Sequence, residues 1–383
     1  MISPRTVLAV CLVAPSLVAQ TTWIVDQAGG PGASFTDLPP ALAVAQADDI
    51  VQVRPGGYSG GATSAGIRLL FEDGAVLNSG QTLAVEDLPA GQRMLLAGLS
   101  RPSLLDTVPV FRAERCAGQV VVERLVTMSV QFLLSFPTVG VQDCAHLSFT
   151  DCSLSGTFPL EIERSQVLLT DSTVTGATPL GAPAVWARDT LLLVSETQIS
   201  GADGSLGISD VGLRVERSAA LITGSGARGI AAGKTCSRFG GCSPTATPAL
   251  DNLQSVVIVD PRVPVGRLAG RAPIPVPQPA LRANGAGLGE ELETELWPHA
   301  NGSAVLAVSA PGPFQWTPWG PLGLSANHLV LYTQPVEAGA ALPFSTIINA
   351  ALFPFEGSLT VQAVVLDTGG GLTLTNPADV VLF

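Results

Sequence analysis

Between Leu147 and Gly201 one arrangement of apolar and polar positions comes round in three phrases: "LSFTDCSLSG" from Leu147, "VLLTDSTVTG" from Val167 and "LLVSETQISG" from Leu192. Alternate residues in each are apolar, Leu147 and Phe149, Val167 and Leu169, Leu192 and Val194. This two-residue period predicts a strand with one buried face. Two polar residues follow, then a further apolar position (Leu154, Val174, Ile199) and a glycine (Gly156, Gly176, Gly201). Each phrase therefore reads as strand, bend, strand and glycine turn.

Counting back from the corner sets Cys144, Arg164 and Asp189 at equivalent positions, and the frame extends to Cys116 before "QVVVER" and Glu216 before "SAALITG". The steps of 28, 20, 25 and 27 residues are too uneven for a leucine-rich repeat, whose Leu and Asn signature is also missing. Spacers such as "TPLGAPAV" and "ADGSLGISD" are rich in Gly, Pro and Asp and leave no room for the crossover helix of an α/β sheet. The pattern predicts a right-handed parallel β-helix, with coils stacked ~4.8 Å apart and like residues in columns.

Near the N-terminus the chain reads as a strand from Trp23 to Val25, a glycine loop, and a short helix opened by Thr36 or Asp37 with Pro39 and Pro40 in its first turn. A strand from Ile50 to Val53 and the turn "RPGGY" follow. This opening resembles that of the pectin-lyase-like right-handed β-helix superfamily of secreted bacterial type, in which such a helix caps the first coil and "D-x-I-x-V-x-P-G-x-Y" follows. The resemblance covers roughly residues 23 to 260 and implies a fold far more than an activity.

The expected fold class is all-β. A secretory signal occupies 1–19, with Arg5, an apolar run from Val7 to Val13 and a small-residue end. The β-helix with its capping helix spans 20–260, and a Pro-rich linker spans 261–284. A small antiparallel β-sandwich spans 285–383, where "SAVLAVS", "HLVLYTQ" and "SLTVQAVVLD" are separated by Gly, Pro and Asn. No later stretch is long and apolar enough to span a membrane.

A net charge of −12 argues against nucleic acid and anionic membrane as partners. The partner expected with the function reading below is a polysaccharide or cell-envelope component, and a monomer is expected. Export implies oxidising conditions. Cys236 and Cys242 enclose "SRFGG", a loop that a disulfide would close. Cys116 and Cys144 head adjacent phrases, which makes them either a second disulfide or two buried thiols in a column.

Members of the superfamily that act on polygalacturonate carry clustered aspartates, and its hydrolases a His between glycines and an Arg-x-Lys pair. Here the coil holds His146 without flanking glycines, and no Arg-x-Lys occurs. His146 aligns with Gln166 and Leu191 at an outward position and is expected at the surface. Four carboxylates, Glu123, Asp151, Asp171 and Glu196, fall seven places into successive phrases. Stacked ~4.8 Å apart they repel, and either solvent or a calcium ion relieves them. Trp316 and Trp319, within "FQWTPWGP", are candidates for stacking on a sugar ring. The expectation is an exported, non-catalytic β-helix protein with a structural or glycan-binding role. The alternative is a carbohydrate-active enzyme, lyase or esterase, with its site on the outer face of the coil.

Overall fold

A computed structural model describes residues 20–102, 108–129, 136–177, 182–205, 209–236, 242–244, 247–283, 291–317, 320–347 and 358–381. The expected signal segment, 1–19, lies outside them. Among the described residues, three parallel sheets of eleven, nine and eight strands wrap a parallel β-helix. A coil runs, for example, through His146–Thr150 in the eleven-stranded sheet, Ser153–Gly156 in the eight-stranded sheet and Leu160–Glu163 in the nine-stranded sheet. Its register bears out the sequence pattern, because Leu147, Val167 and Leu192 pair in one column and Phe149, Leu169 and Val194 in the next. All six are buried in one core running the length of the coils.

The end of that core is closed by the helix Leu38–Val44. Asp37 caps it: one carboxylate oxygen accepts the Leu38 N–H at 2.8 Å and the Ser59 N–H at 2.9 Å, which ties the helix to the turn after the strand Gly56–Tyr58. Prolines in the first turn forgo N–H groups that had no partner there. Leu38, Ala41 and Leu42 point into the coil.

In the central coils two corners are built from a residue in the left-handed region. Between the nine- and eleven-stranded sheets these are Asp87, Arg115, Asp143, Arg164, Asp189, Arg217 and Gln254, with φ between 46° and 58°. Between the eleven- and eight-stranded sheets they are Gly98, Arg124, Asp151, Asp171 and Glu196. L-residues resist this conformation, so each corner needs compensation.

The next residue in the chain supplies it. Cys144, Ser165, Thr190, Ser218 and Ser255 each turn a thiol or hydroxyl back onto the carbonyl two residues earlier. The Cys144 N–H then donates to Ser165 Oγ, the Thr190 N–H to Ser218 Oγ and the Ser218 N–H to Ser255 Oγ, each at 3.0 Å. Cys152, Ser172 and Thr197 build the same ladder in the other corner. Several buried backbone N–H groups in these bends are thereby paired by the equivalent side chain one coil away.

The segment expected as a linker is structural instead. Leu268–Gly270 pairs with Leu250–Leu253, Ile274–Pro275 pairs with Val256–Val259, and Ala280–Ala283 opens the next domain. Proline at alternate positions suits a last strand, whose outer edge needs no donor and is blocked against further pairing.

The C-terminal domain is a small antiparallel unit. One sheet contains Ala280–Ala283, Glu291–Trp297 and Leu342–Ile347; the other contains Gly302–Thr317, Gly320–Val336, Ser358–Asp367, Leu372–Leu374 and Ala378–Val381. Leu281, Leu292 and Leu296 from the first share a core with Leu306, Val308 and Val361 from the second.

This domain sits on the outer face of the eleven-stranded sheet. There His146 Nε2 lies 2.9 Å from Asp379 Oδ2, Thr150 Oγ1 donates to the Asp379 carbonyl, and Thr223 bonds Asn376. The expectation of a surface His146 is corrected by this cover: the imidazole does point out of the coil, but only 3% of the residue is exposed.

Candidate functional site

With the eleven-stranded sheet covered, the nine-stranded sheet presents an outward face rich in functional groups. Its strands alternate strictly, so Arg112 and Glu114, Gly140 and Gln142, Glu161 and Glu163, Trp186 and Arg188, and Arg214 and Glu216 all face away from the core. The signal was legible in the segments "FRAE", "LEIE", "VWAR" and "LRVE", which were not singled out from the sequence.

Most of these groups are paired along the stack. Arg112 bridges Glu86 and Glu114, Arg188 Nη2 lies 2.9 Å from Glu161 Oε1, and Arg214 Nε lies 3.0 Å from Asp251 Oδ2. Trp186 lies beneath the Arg188 guanidinium, 4.6 Å from the ring centroid.

Gly140 interrupts the row. Without a side chain between Arg112 and Glu161, it leaves a cleft of about 340 Å³ lined by those two residues with Glu114, Gln142, Glu163 and Phe136. A Cβ at Gly140 would come within 3.3 Å of Pro137 Cγ, so glycine keeps the floor open. Burial raises the Glu161 carboxyl above its ordinary value, with the neighbouring Glu163 adding to the rise and Arg188 opposing it. The cleft can accept hydroxyl or ammonium hydrogen bonds on its carboxylates and offers the Phe136 ring as an apolar wall.

The predicted carboxylate column is corrected at one member. Glu123 pairs in register with Thr150, and through it with Thr170 and Ser195, so Arg124 occupies the column with Asp151, Asp171 and Glu196. The corner from Cys116 to Gln119 is one residue longer than that from Cys144 to His146, and counting from the cysteine shifted the frame. The repulsion among the remaining three is relieved by arginine. Asp171 is held by Arg228 at 2.8 Å and by Arg282 of the C-terminal domain at 2.7 Å. Glu196 accepts from the Ser225 N–H and hydroxyl. Burial and then Asp171 raise the Asp151 carboxyl, and burial raises that of Glu196. Among the described residues no three His, Cys, Asp or Glu side chains form a group able to hold a metal ion.

Cys116, Cys144 and Cys152 are buried free thiols. Cys116 and Cys144 do stack one coil apart, as the dithiol alternative of the two expected from the sequence. Cys236 and Cys242 face each other across an antiparallel hairpin, Lys234–Cys236 with Cys242–Pro244. Trp316 lies on the strand Gly302–Thr317, opposite Pro321; its side chain, and the whole of Trp319, lie outside the described residues.

No protein-family model matches the chain, and no curated protein is significantly similar to it.

Proposed function

We propose that this chain is an exported, non-catalytic β-helix protein that binds glycan on the outer face of its nine-stranded sheet, as a member of the pectin-lyase-like group or a relative of it. The observation that carries the reading is the cleft over Gly140, whose volume of about 340 Å³ falls at the small end of ligand sites and suits a single pyranose ring. Its balance of one arginine, already shared by two glutamates, against Glu114, Glu161 and Glu163 favours neutral or amino sugars over uronates. Periodic ion pairs along the stack, rather than a convergent acid, base and cation, favour binding over turnover. Export is supported by the pattern of residues 1–19 and by Cys236 and Cys242, whose placement opposite one another suits a disulfide.

A second reading, glycan cleavage, is favoured by one feature: the raised Glu161 carboxyl in a cleft with other carboxylates resembles a general acid. A glycan array on residues 20–383, followed by calorimetry with the best ligand, separates the two. Binding lost in Gly140→Val at an unchanged thermal midpoint supports the cleft, and undiminished binding refutes it. Product release that disappears in Glu161→Gln would replace the binding reading with the catalytic one.

A further inference from the structure

We infer that Cys116 and Cys144 form an oxidisable dithiol, which a hydroperoxide converts to a disulfide that staples adjacent coils. The two thiols are successive rungs of the corner ladder. The Ala145 N–H donates to the Cys116 carbonyl at 2.8 Å, Cys116 Sγ lies 3.5 Å from the Glu114 carbonyl and Cys144 Sγ 3.4 Å from the Gln142 carbonyl. Stacking places their Cα atoms near the rung spacing of ~4.8 Å, inside the range a disulfide tolerates. Elsewhere in the column the position is Ser165, Thr190, Ser218 and Ser255, so a hydroxyl suffices for the fold. Two thiols stand together only here in the ladder, and neither sulfur is required by the hydrogen-bond pattern.

The corner is also approachable. An open depression of about 670 Å³ runs over it, lined by both cysteines with Arg115, Asp143, Arg164 and Ala117. Both cysteines are almost fully buried beneath it, 0% and 2% exposed, so the oxidant of the proposal is hydrogen peroxide rather than a bulkier one. A hydrogen bond from Cys144 holds the Cys116 thiol below its ordinary value, while Cys116 pushes that of Cys144 up. Cys116 is therefore the attacking sulfur. Its thiolate displaces hydroxide from hydrogen peroxide to give a sulfenic acid, and the Cys144 sulfur then displaces water from it. The balance is two thiols and one hydrogen peroxide to one disulfide and two waters. Cys152, by contrast, stands alone in the other corner above Ser172, and burial pushes its thiol up to about 12.

The test uses the full mature chain with Cys152→Ser, a change the Ser172 rung shows to be compatible with the fold. Stoichiometric hydrogen peroxide should remove two titratable thiols, raise the thermal midpoint by a few degrees, and join the tryptic peptide 116–124 to 125–164. In Cys144→Ser the sulfenic acid has no partner, and dimedone should label Cys116. Overoxidation of Cys116 without the joined peptide, or two thiols untouched by peroxide, would overturn the proposal.

Discussion

The Arg164 guanidinium grips the Asp143 carboxylate of the preceding coil with two parallel bonds, Nε to Oδ1 at 2.7 Å and Nη2 to Oδ2 at 2.9 Å. Arg115 holds Asp87 in the same way, and Arg217 holds Asp189. One corner of the β-helix is thus a column that alternates acid and base over six coils, each arginine keeping its aspartate below the ordinary carboxylate value. Alternation makes every vertical neighbour attractive. Asp143→Lys would set three cations in succession and should lower the thermal midpoint more than Arg164→Ala does. Raising the salt to about 1 M should narrow the difference, because the groups are exposed and the Debye length shrinks to ~3 Å.

Gln254 ends that column, exposed, with φ of 58°. Since its side chain carries no charge, it reports the backbone alone. Gln254→Gly should leave the stability unchanged or raise it slightly, whereas Gln254→Val, β-branched in the left-handed region, should cost about 1–2 kcal/mol. Equal denaturant midpoints for the two variants would contradict a left-handed corner.

Ser172 is almost fully buried, accepts the Cys152 N–H at 3.0 Å and donates to the Thr170 carbonyl at 2.8 Å. Ser172→Ala strands both backbone groups and should destabilise by about 1–3 kcal/mol. Ser172→Cys should recover most of the loss, because Cys152 occupies the equivalent rung. Chemical denaturation of the three proteins gives the comparison directly.

These ladders explain what could and could not be read in advance. The interior columns were legible, because a two-residue period repeated in register has few other solutions and Leu169 or Phe149 can only point inward. The pairs "DC", "DS", "ET", "RS" and "DT" at the phrase corners were visible as well. They encode a left-handed residue and its capping neighbour, yet Cys144 read as a disulfide candidate because cysteine and serine look unrelated until their shared position is known. The column of carboxylates failed at Glu123 because corner length, unlike strand period, is not fixed by burial. The cover over His146 was illegible: Asp379 lies 233 residues away in sequence and no local pattern announces it.

That cover has its own pH dependence. Burial acts to raise the Asp379 carboxyl, but His146, Thr360 and Ser148 together hold it below its ordinary value. Arg93, Gln119 and the Thr150 hydroxyl complete the surroundings of the strand. A carboxyl with a depressed folded value stabilises above its unfolded value and loses that contribution as pH falls through the folded one. Acidification below about pH 4 should therefore loosen the C-terminal domain. Asp379→Ala, which also leaves the facing His146 and Thr360 without their acceptor, should cost about 3–5 kcal/mol at neutral pH. Hydrogen exchange at Leu147–Thr150 unchanged by that substitution would count against the contact.

Asp171 decides between arginine and calcium. The rise in the Asp151 and Glu196 carboxyls means that both contribute destabilisation once charged, so stability is greatest below their unfolded values and falls as pH rises through the folded ones. A divalent cation would relieve this, but Arg228 and Arg282 already take both oxygens of Asp171 from opposite sides. Millimolar calcium should therefore leave the thermal midpoint of the wild type where chelator leaves it. Arg282→Gln removes the cation supplied by the C-terminal domain and leaves Asp171 to Arg228 alone, so the midpoint should fall and the fall should grow from pH 5 to pH 8. Calcium that restores the midpoint in Arg282→Gln would show that the column retains the capacity to bind a cation. Calcium that raises it in the wild type would show that the arginines do not suffice.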